Sequence, residues 1–231
     1  AVQIIYSLIN LHGDSWAERA YCPWPDLSAL MREESVPLFA LESWEPVSGA
    51  DLWGFTLQHE LTYTNILEML DLAGVPLHWQ DRGDDDPLVF AGGPCASNPH
   101  PVAAFFDFIL IGDGEQAVPR VLKICEEGKD LTRRQLLERL AGLEGVFVPA
   151  FPRRVKRAVV AELDYSLAPV RPVIPSMGAV HDRATLEIMR GCTRGCRFCM
   201  AGNWYRPVRE RPAEEVCRAI ADLVAGTGYD E

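Results

Sequence analysis

The segment Met189-Arg-Gly-Cys-Thr-Arg-Gly-Cys-Arg-Phe-Cys-Met200 places the thiols of Cys192, Cys196 and Cys199 within eight residues. Cysteines this close in a chain can ligate one metal centre without help from distant parts of a fold. A cubane iron–sulfur cluster commonly takes one cysteine per iron. Three ligands leave one iron open, and an open iron can bind a substrate or a second cofactor. That arrangement points to catalysis rather than electron storage.

Two other readings fit parts of the pattern. The same spacing falls on one face of a helix, which would make the cysteines a packed apolar stripe. Gly191 and Gly195 weaken a helix there, and Arg194 and Arg197 surround the stripe with charge. Structural zinc usually takes two separated ligand pairs. No second C-x-x-C exists, and His181 is the nearest candidate for a further ligand.

Cys192, Cys196 and Cys199, with Phe198 before the last cysteine and Arg190-Gly191 ahead of the first, resemble the signature of the radical S-adenosylmethionine (radical SAM) enzymes. The resemblance implies a [4Fe–4S] cluster on the three cysteines, its open iron chelated by the amino and carboxylate groups of SAM. One electron then splits SAM into methionine and a 5′-deoxyadenosyl radical, which abstracts hydrogen from substrate. The same resemblance sets Phe198 against the adenine and implies an electron donor such as flavodoxin or ferredoxin. It leaves the substrate unknown.

The elements that must position this loop come from a chain of 231 residues, enough for one large or two modest domains. Apolar content of 48% and charged content of 24% are those of a globular protein. No apolar run is long enough for a membrane helix. The start lacks the basic flank of a secretory signal, and Val2, Ile5, Leu8 and Ile9 fit one helix face instead. Ala1 in place of an initiating Met points to a partial or processed chain. Cys22, Cys95, Cys125 and Cys217 are scattered, which is not a disulfide framework. Reduced thiols and an oxygen-sensitive cluster point to the cytoplasm.

The net charge of −11 is unevenly divided. Residues 1–150 carry 9 basic and 23 acidic side chains, a net −14, and residues 151–231 carry 13 and 10, a net +3. The first part is a poor electrostatic partner for nucleic acid or an anionic membrane.

Residues 1–148 alternate strand and helix patterns. Strands are expected at Leu52–Thr56, Pro87–Ala91 and Phe105–Ile111. Helices are expected through Tyr63–Leu70, stopped at Gly74, and through Val118–Cys125, stopped near Gly128. Thr132-x-x-Gln135 is a capping box opening a further helix. The alternation predicts a parallel sheet with helices on its faces. Residues 149–183 are rich in proline and include the basic run Arg153-Arg-Val-Lys-Arg157 beside strand-like Ala158–Ala161; they read as a connection between domains. From 184 the pattern resumes: a strand at Thr185–Met189 delivers the cysteine loop, and a helix with Pro212 in its first turn buries Val216, Ile220, Leu223 and Val224. Cys217 on that helix is expected in the core.

Two glycine loops follow predicted strands, Gly92-Gly93-Pro94 and Gly112-Asp113-Gly114-Glu115. Glycine lets backbone approach a ligand closely, but tight turns need glycine equally. No G-x-G-x-x-G is present to indicate a dinucleotide.

Together with Trp53-Gly-Phe-Thr-Leu-Gln-His-Glu60, and placed ahead of C-x3-C-x2-C, these loops resemble the cobalamin-binding type of radical SAM protein. The likeness extends to a branch found with a fused or neighbouring domain of unknown function. It implies that Thr56, Leu57 and Gln58, Gly92, Gly93 and Pro94, and Gly112, Asp113, Gly114 and Glu115 surround a corrin and its nucleotide tail. The chain lacks the D-x-H-x-x-G that supplies the axial histidine in many cobalamin proteins. His59 reads as a surface or helix-entry residue.

The expectation is therefore an α/β protein: a doubly wound, Rossmann-like domain of cobalamin-binding type at 1–148, then a connection at 149–183. The start of a radical SAM partial (β/α) barrel follows at 184–231. Such a barrel needs more β/α repeats than these last residues supply. The chain as given is expected to assemble a cluster but to turn over poorly. If cobalamin binds, methyl transfer to an unactivated carbon is the implied reaction. The alternatives are an RNA methylthiotransferase-like enzyme, which would need a second cysteine set upstream, and a non-catalytic cobalamin- or zinc-binding module.

Overall fold

The computed structural model describes residues 2–11, 14–163, 165–176 and 183–229. Its elements, in chain order, are α1 (Val2–Leu11), α2 (Pro25–Glu33), β1 (Leu52–Thr56), α3 (Tyr63–Leu72), β2 (Leu88–Gly92), β3 (Phe108–Leu110), α4 (Gly114–Glu127), α5 (Arg133–Ala141), β4 (Val146–Phe147), β5 (Met189–Arg190), α6 (Ala201–Trp204), β6 (Arg209–Glu210) and α7 (Ala213–Thr227). They divide into two compact units, residues 17–158, and 1–16 with 159–231.

The larger unit is a four-stranded sheet in the order β1-β2-β3-β4. β1, β2 and β3 are parallel, with Leu52 opposite Leu88 and Phe90 opposite Phe108. β4 closes the edge antiparallel to β3. The α/β expectation holds, with an antiparallel edge strand that the sequence does not announce. β2 and β3 are apolar almost throughout because both faces are covered, as central parallel strands require. Gly54 in β1 leaves room for the Phe90 ring, which an added Cβ would meet at 2.5 Å. The core gathers Phe55, Leu57, Leu70, Val89, Phe106 and Ile109.

Local signals work as read. Gly74, at φ +68°, follows the end of α3, and Gly128 caps α4. Thr132 and Gln135 form the reciprocal capping box of α5. α2 was not expected; Pro25 sits in its first turn and Met31 is its buried anchor.

In the other unit, the predicted strand at 185–189 is only the two residues of β5. It pairs antiparallel with β6, Met189 opposite Glu210 and Arg190 opposite Arg209. Ala158–Ala161 forms no strand; Ala158 alone bridges to Gly112. α7 starts one residue after Pro212 and ends at Gly228, left-handed at φ +75°. Its buried residues are Ala219 and Leu223, whereas Ile220 and Val224 are exposed. Cys217 is exposed too, which corrects the expectation of a core residue. In α1 the buried residue is Ile4 rather than the expected stripe. No helix of the described residues is long and apolar enough to cross a membrane.

Candidate metal centre

The cysteine triplet lies on the excursion that joins β5 to β6. Gly191 opens it at φ +93°, and an added Cβ would meet Tyr205 O at 2.7 Å and Val208 Cα at 3.0 Å. Only glycine lets the outgoing and returning backbones cross that closely. The Arg194 N–H points at Cys192 Sγ at 3.4 Å, and the Cys199 N–H donates to Cys196 O at 3.2 Å. α6 follows directly and folds back on the loop; a Cβ on Gly202 would meet Arg194 O at 3.1 Å. The loop is therefore a short irregular turn, not the packed helical stripe. Cys196 is exposed, and Cys192 and Cys199 are partly so. Phe198 is 91% exposed, an unusual state for that side chain.

Six arginines surround this excursion, and they separate by role. Arg190 makes two hydrogen bonds to Glu187, at 2.8 and 2.9 Å. Arg211 is buried and donates to Glu187 O at 2.7 Å. Arg209 is buried and donates to Val160 O at 2.6 Å. These three fasten β5 and β6. Arg194, Arg197 and Arg206 are exposed, the first two between the cysteines of the loop itself. The sequence reading missed Glu187; its signal was a carboxylate three residues before Arg190, the spacing of a local ion pair.

Three soft thiols on a solvent-open loop fit an iron–sulfur cluster by donor chemistry. Among the described residues, no group of three His, Cys, Asp or Glu side chains is placed to hold a single metal ion. His181 lies outside the described residues.

The glycine loops stand at the carboxyl ends of β1, β2 and β3, and their residues face their own chain. Leu57 is fully buried. Gly93 has φ +114°, and an added Cβ would meet Leu57 O at 2.9 Å. Gly112, also at φ +114°, lies against Ala158, whose carbonyl oxygen would be 2.1 Å from an added Cβ. Glu115 is buried in the first turn of α4, beside Gly114 and after the N-cap Asp113. Thr56 and Gln58 are exposed and hydrogen-bond each other at 2.8 Å. Gly92 is in β2, and Pro94 opens a single helical turn. His59 caps the next turn, accepting from the Leu61 N–H at 3.2 Å, so it is the helix-entry residue expected. The space that the missing side chains would leave for a corrin is filled by protein backbone, so these loops do not fit cobalamin.

The sequence profile of radical SAM proteins, N-terminal, matches residues 1–149, and the chain belongs to that family. It is also similar to an uncharacterized protein of Methanocaldococcus jannaschii, 29% identical over 188 residues, which cover 80% of this chain and 38% of that protein. The chain thus spans well under half the length of this relative.

Proposed function

We propose that this is a radical SAM enzyme in which Cys192, Cys196 and Cys199 hold a [4Fe–4S] cluster. On this reading residues 1–148 are an α/β domain of the cobalamin-binding type, 149–183 connect, and 184–231 open the catalytic partial barrel. When bound, the cluster supplies the electron that cleaves SAM reductively. The chain's own residues hold and orient. Gly191 and Gly202 let the loop close on itself, and the Arg190–Glu187–Arg211 contacts fix the strands that carry it. Phe198 offers an uncovered aromatic face to the adenine, and Arg194, Arg197 and Arg206 supply positive charge that suits a carboxylate and an anionic cluster. An electron donor of flavodoxin or ferredoxin type and an organic substrate complete the reaction. Cobalamin-dependent methyl transfer, the finer reaction that the resemblance implies, gains no support from the glycine loops.

The observation that carries this reading is the solvent-open triplet loop downstream of a domain of the radical SAM N-terminal family. Anaerobic reconstitution with iron and sulfide tests it. The expected result is about one cubane per chain with thiolate-to-iron charge-transfer absorption, and, from the full-length protein, release of 5′-deoxyadenosine when SAM and a strong reductant are added. Cys196→Ala should lose both. One zinc per chain and no bound sulfide would end the proposal.

A further inference from the structure

We infer that residues 155–158 occupy the ligand end of the larger sheet, and that this domain folds as a cofactor-free scaffold despite its cobalamin-type glycine loops. The inference concerns residues 17–158 alone and does not depend on the cluster.

Open α/β sheets bind ligands beyond the carboxyl ends of their strands, at the point where strand order reverses. Among the described residues the strand order is β1-β2-β3-β4, in chain order. The carboxyl end is also built over. At β1 and β2, the Leu57 N–H donates to Gly92 O at 2.7 Å, and the Cys95 N–H donates to Leu57 O at 3.1 Å. Leu57, Cys95 and Ala96 are buried in the core cluster. Gly93 is what lets the two loops lie backbone to backbone, since its φ of +114° and the 3.1 Å from an added Cβ to Leu57 N both exclude a side chain.

At β3 the closing segment is 155–158. The Ala158 N–H donates to Ile111 O at 2.9 Å, and the Asp113 N–H donates to Ala158 O at 3.0 Å. The Gly145 N–H donates to Lys156 O at 3.1 Å, and the Ile111 N–H donates to Gly145 O at 2.7 Å. The segment therefore continues the hydrogen-bond pattern of the sheet past its last strand. Val155 packs on the core, and the Arg157 Cγ would be 2.7 Å from a Cβ on Gly112. Amides that could have faced an anionic nucleotide tail are spent on this chain. The described histidines of the unit are engaged as well. His59 caps a turn, His78 stacks on Phe105 at 5.3 Å, and His100 meets Phe147 edge-on at 5.5 Å.

The closing segment can be tested without any cofactor. If the glycines serve the segment, Gly112→Ala should lower the Tm of the cofactor-free protein by about 5 °C or more. An unchanged Tm would mean that residues 155–158 do not close against Gly112, and would overturn the inference. Should Gly112→Ala give no folded protein, Ala158→Pro removes the donor to Ile111 O without adding bulk at the glycine. It should lower Tm in the same sense, and an unmoved Tm would again count against the inference. Separately, the unaltered protein is mixed with hydroxocobalamin and with methylcobalamin and passed through gel filtration. No corrin absorbance should travel with the protein, and co-elution at about one corrin per chain would refute the scaffold reading whatever the variants do.

Discussion

Cys125 sits on α4 with its thiol pushed up to about 12, mainly by burial and further by Asp51. Burial also raises Cys22 and Cys95. Cys22, Cys95 and Cys125 therefore favour the protonated thiol and behave as small hydrophobes, while the clustered cysteines stand on an open loop. The shift has a consequence for stability. A thiol that ionises near 12 when folded, against 9.0 ordinarily, binds its proton more tightly in the folded state. The stability it contributes is fully present below about pH 9 and is lost as pH rises towards 12. The slope from one such group is at most about 1.4 kcal/mol per pH unit. Cys125→Ala should thus flatten the decline in urea midpoint between about pH 9 and 11 relative to the unaltered protein. Parallel declines in the two proteins would show that Cys125 ionises freely in the folded state.

At the scale of elements, one buried carboxylate joins pieces far apart in the chain. Asp107, just before β3, accepts from Arg82 at 2.9 Å and from Arg133 of α5 at 2.9 Å, and its Oδ2 also takes the Val89 N–H of β2 at 2.8 Å. Arg82 donates onward to Pro76 O, Leu77 O and Phe105 O, each at 2.9 Å. Both side chains of the Arg82–Asp107 pair are wholly buried. Burial lowers the Arg82 pKa, and the Asp107 carboxylate opposes that. Asp107→Asn would leave a buried guanidinium short of its counter-charge, at a cost of about 3–5 kcal/mol. Chemical denaturation should show it, and a loss below about 1 kcal/mol would mean that water or another group compensates. Nothing in the sequence marks this network, because its members lie 25 and 26 residues apart with no periodic pattern. What was legible is local. Gly74, Gly128 and the Thr132–Gln135 box act within one turn, and β1 and α3 were readable from apolar spacing alone. The triplet at 192–199 is a local pattern of the same kind, and the structure places it on one open loop. The role of the glycine loops was not legible, because a positive φ and a close approach look alike in sequence, whether the approaching atoms belong to a cofactor or to residues 46 positions later, as Ala158 is to Gly112.

Over the whole molecule, charge is partitioned in a way that bears on partners. Residues 1–150 carry a net −14 and would repel an acidic protein, whereas residues 151–231 carry a net +3. Arg190, Arg209 and Arg211 are engaged in holding β5 and β6, whereas Arg194, Arg197 and Arg206, in the segment between those strands, are exposed. If the proposed function holds, these exposed arginines would attract an acidic electron donor to the cysteine loop. The attraction acts over roughly 10 Å at about 0.1 M salt and fades as salt rises. Reversing charge with Arg197→Glu and Arg206→Glu should weaken binding of an acidic flavodoxin several-fold at low ionic strength and change it little at about 0.5 M. Iron per chain, measured alongside, distinguishes a lost docking charge from a collapsed loop. Equal affinity of the double variant and the unaltered protein at low salt, with iron loading intact, would remove the arginines from donor recognition and leave the acidic bulk of the molecule without a counterpart at the site.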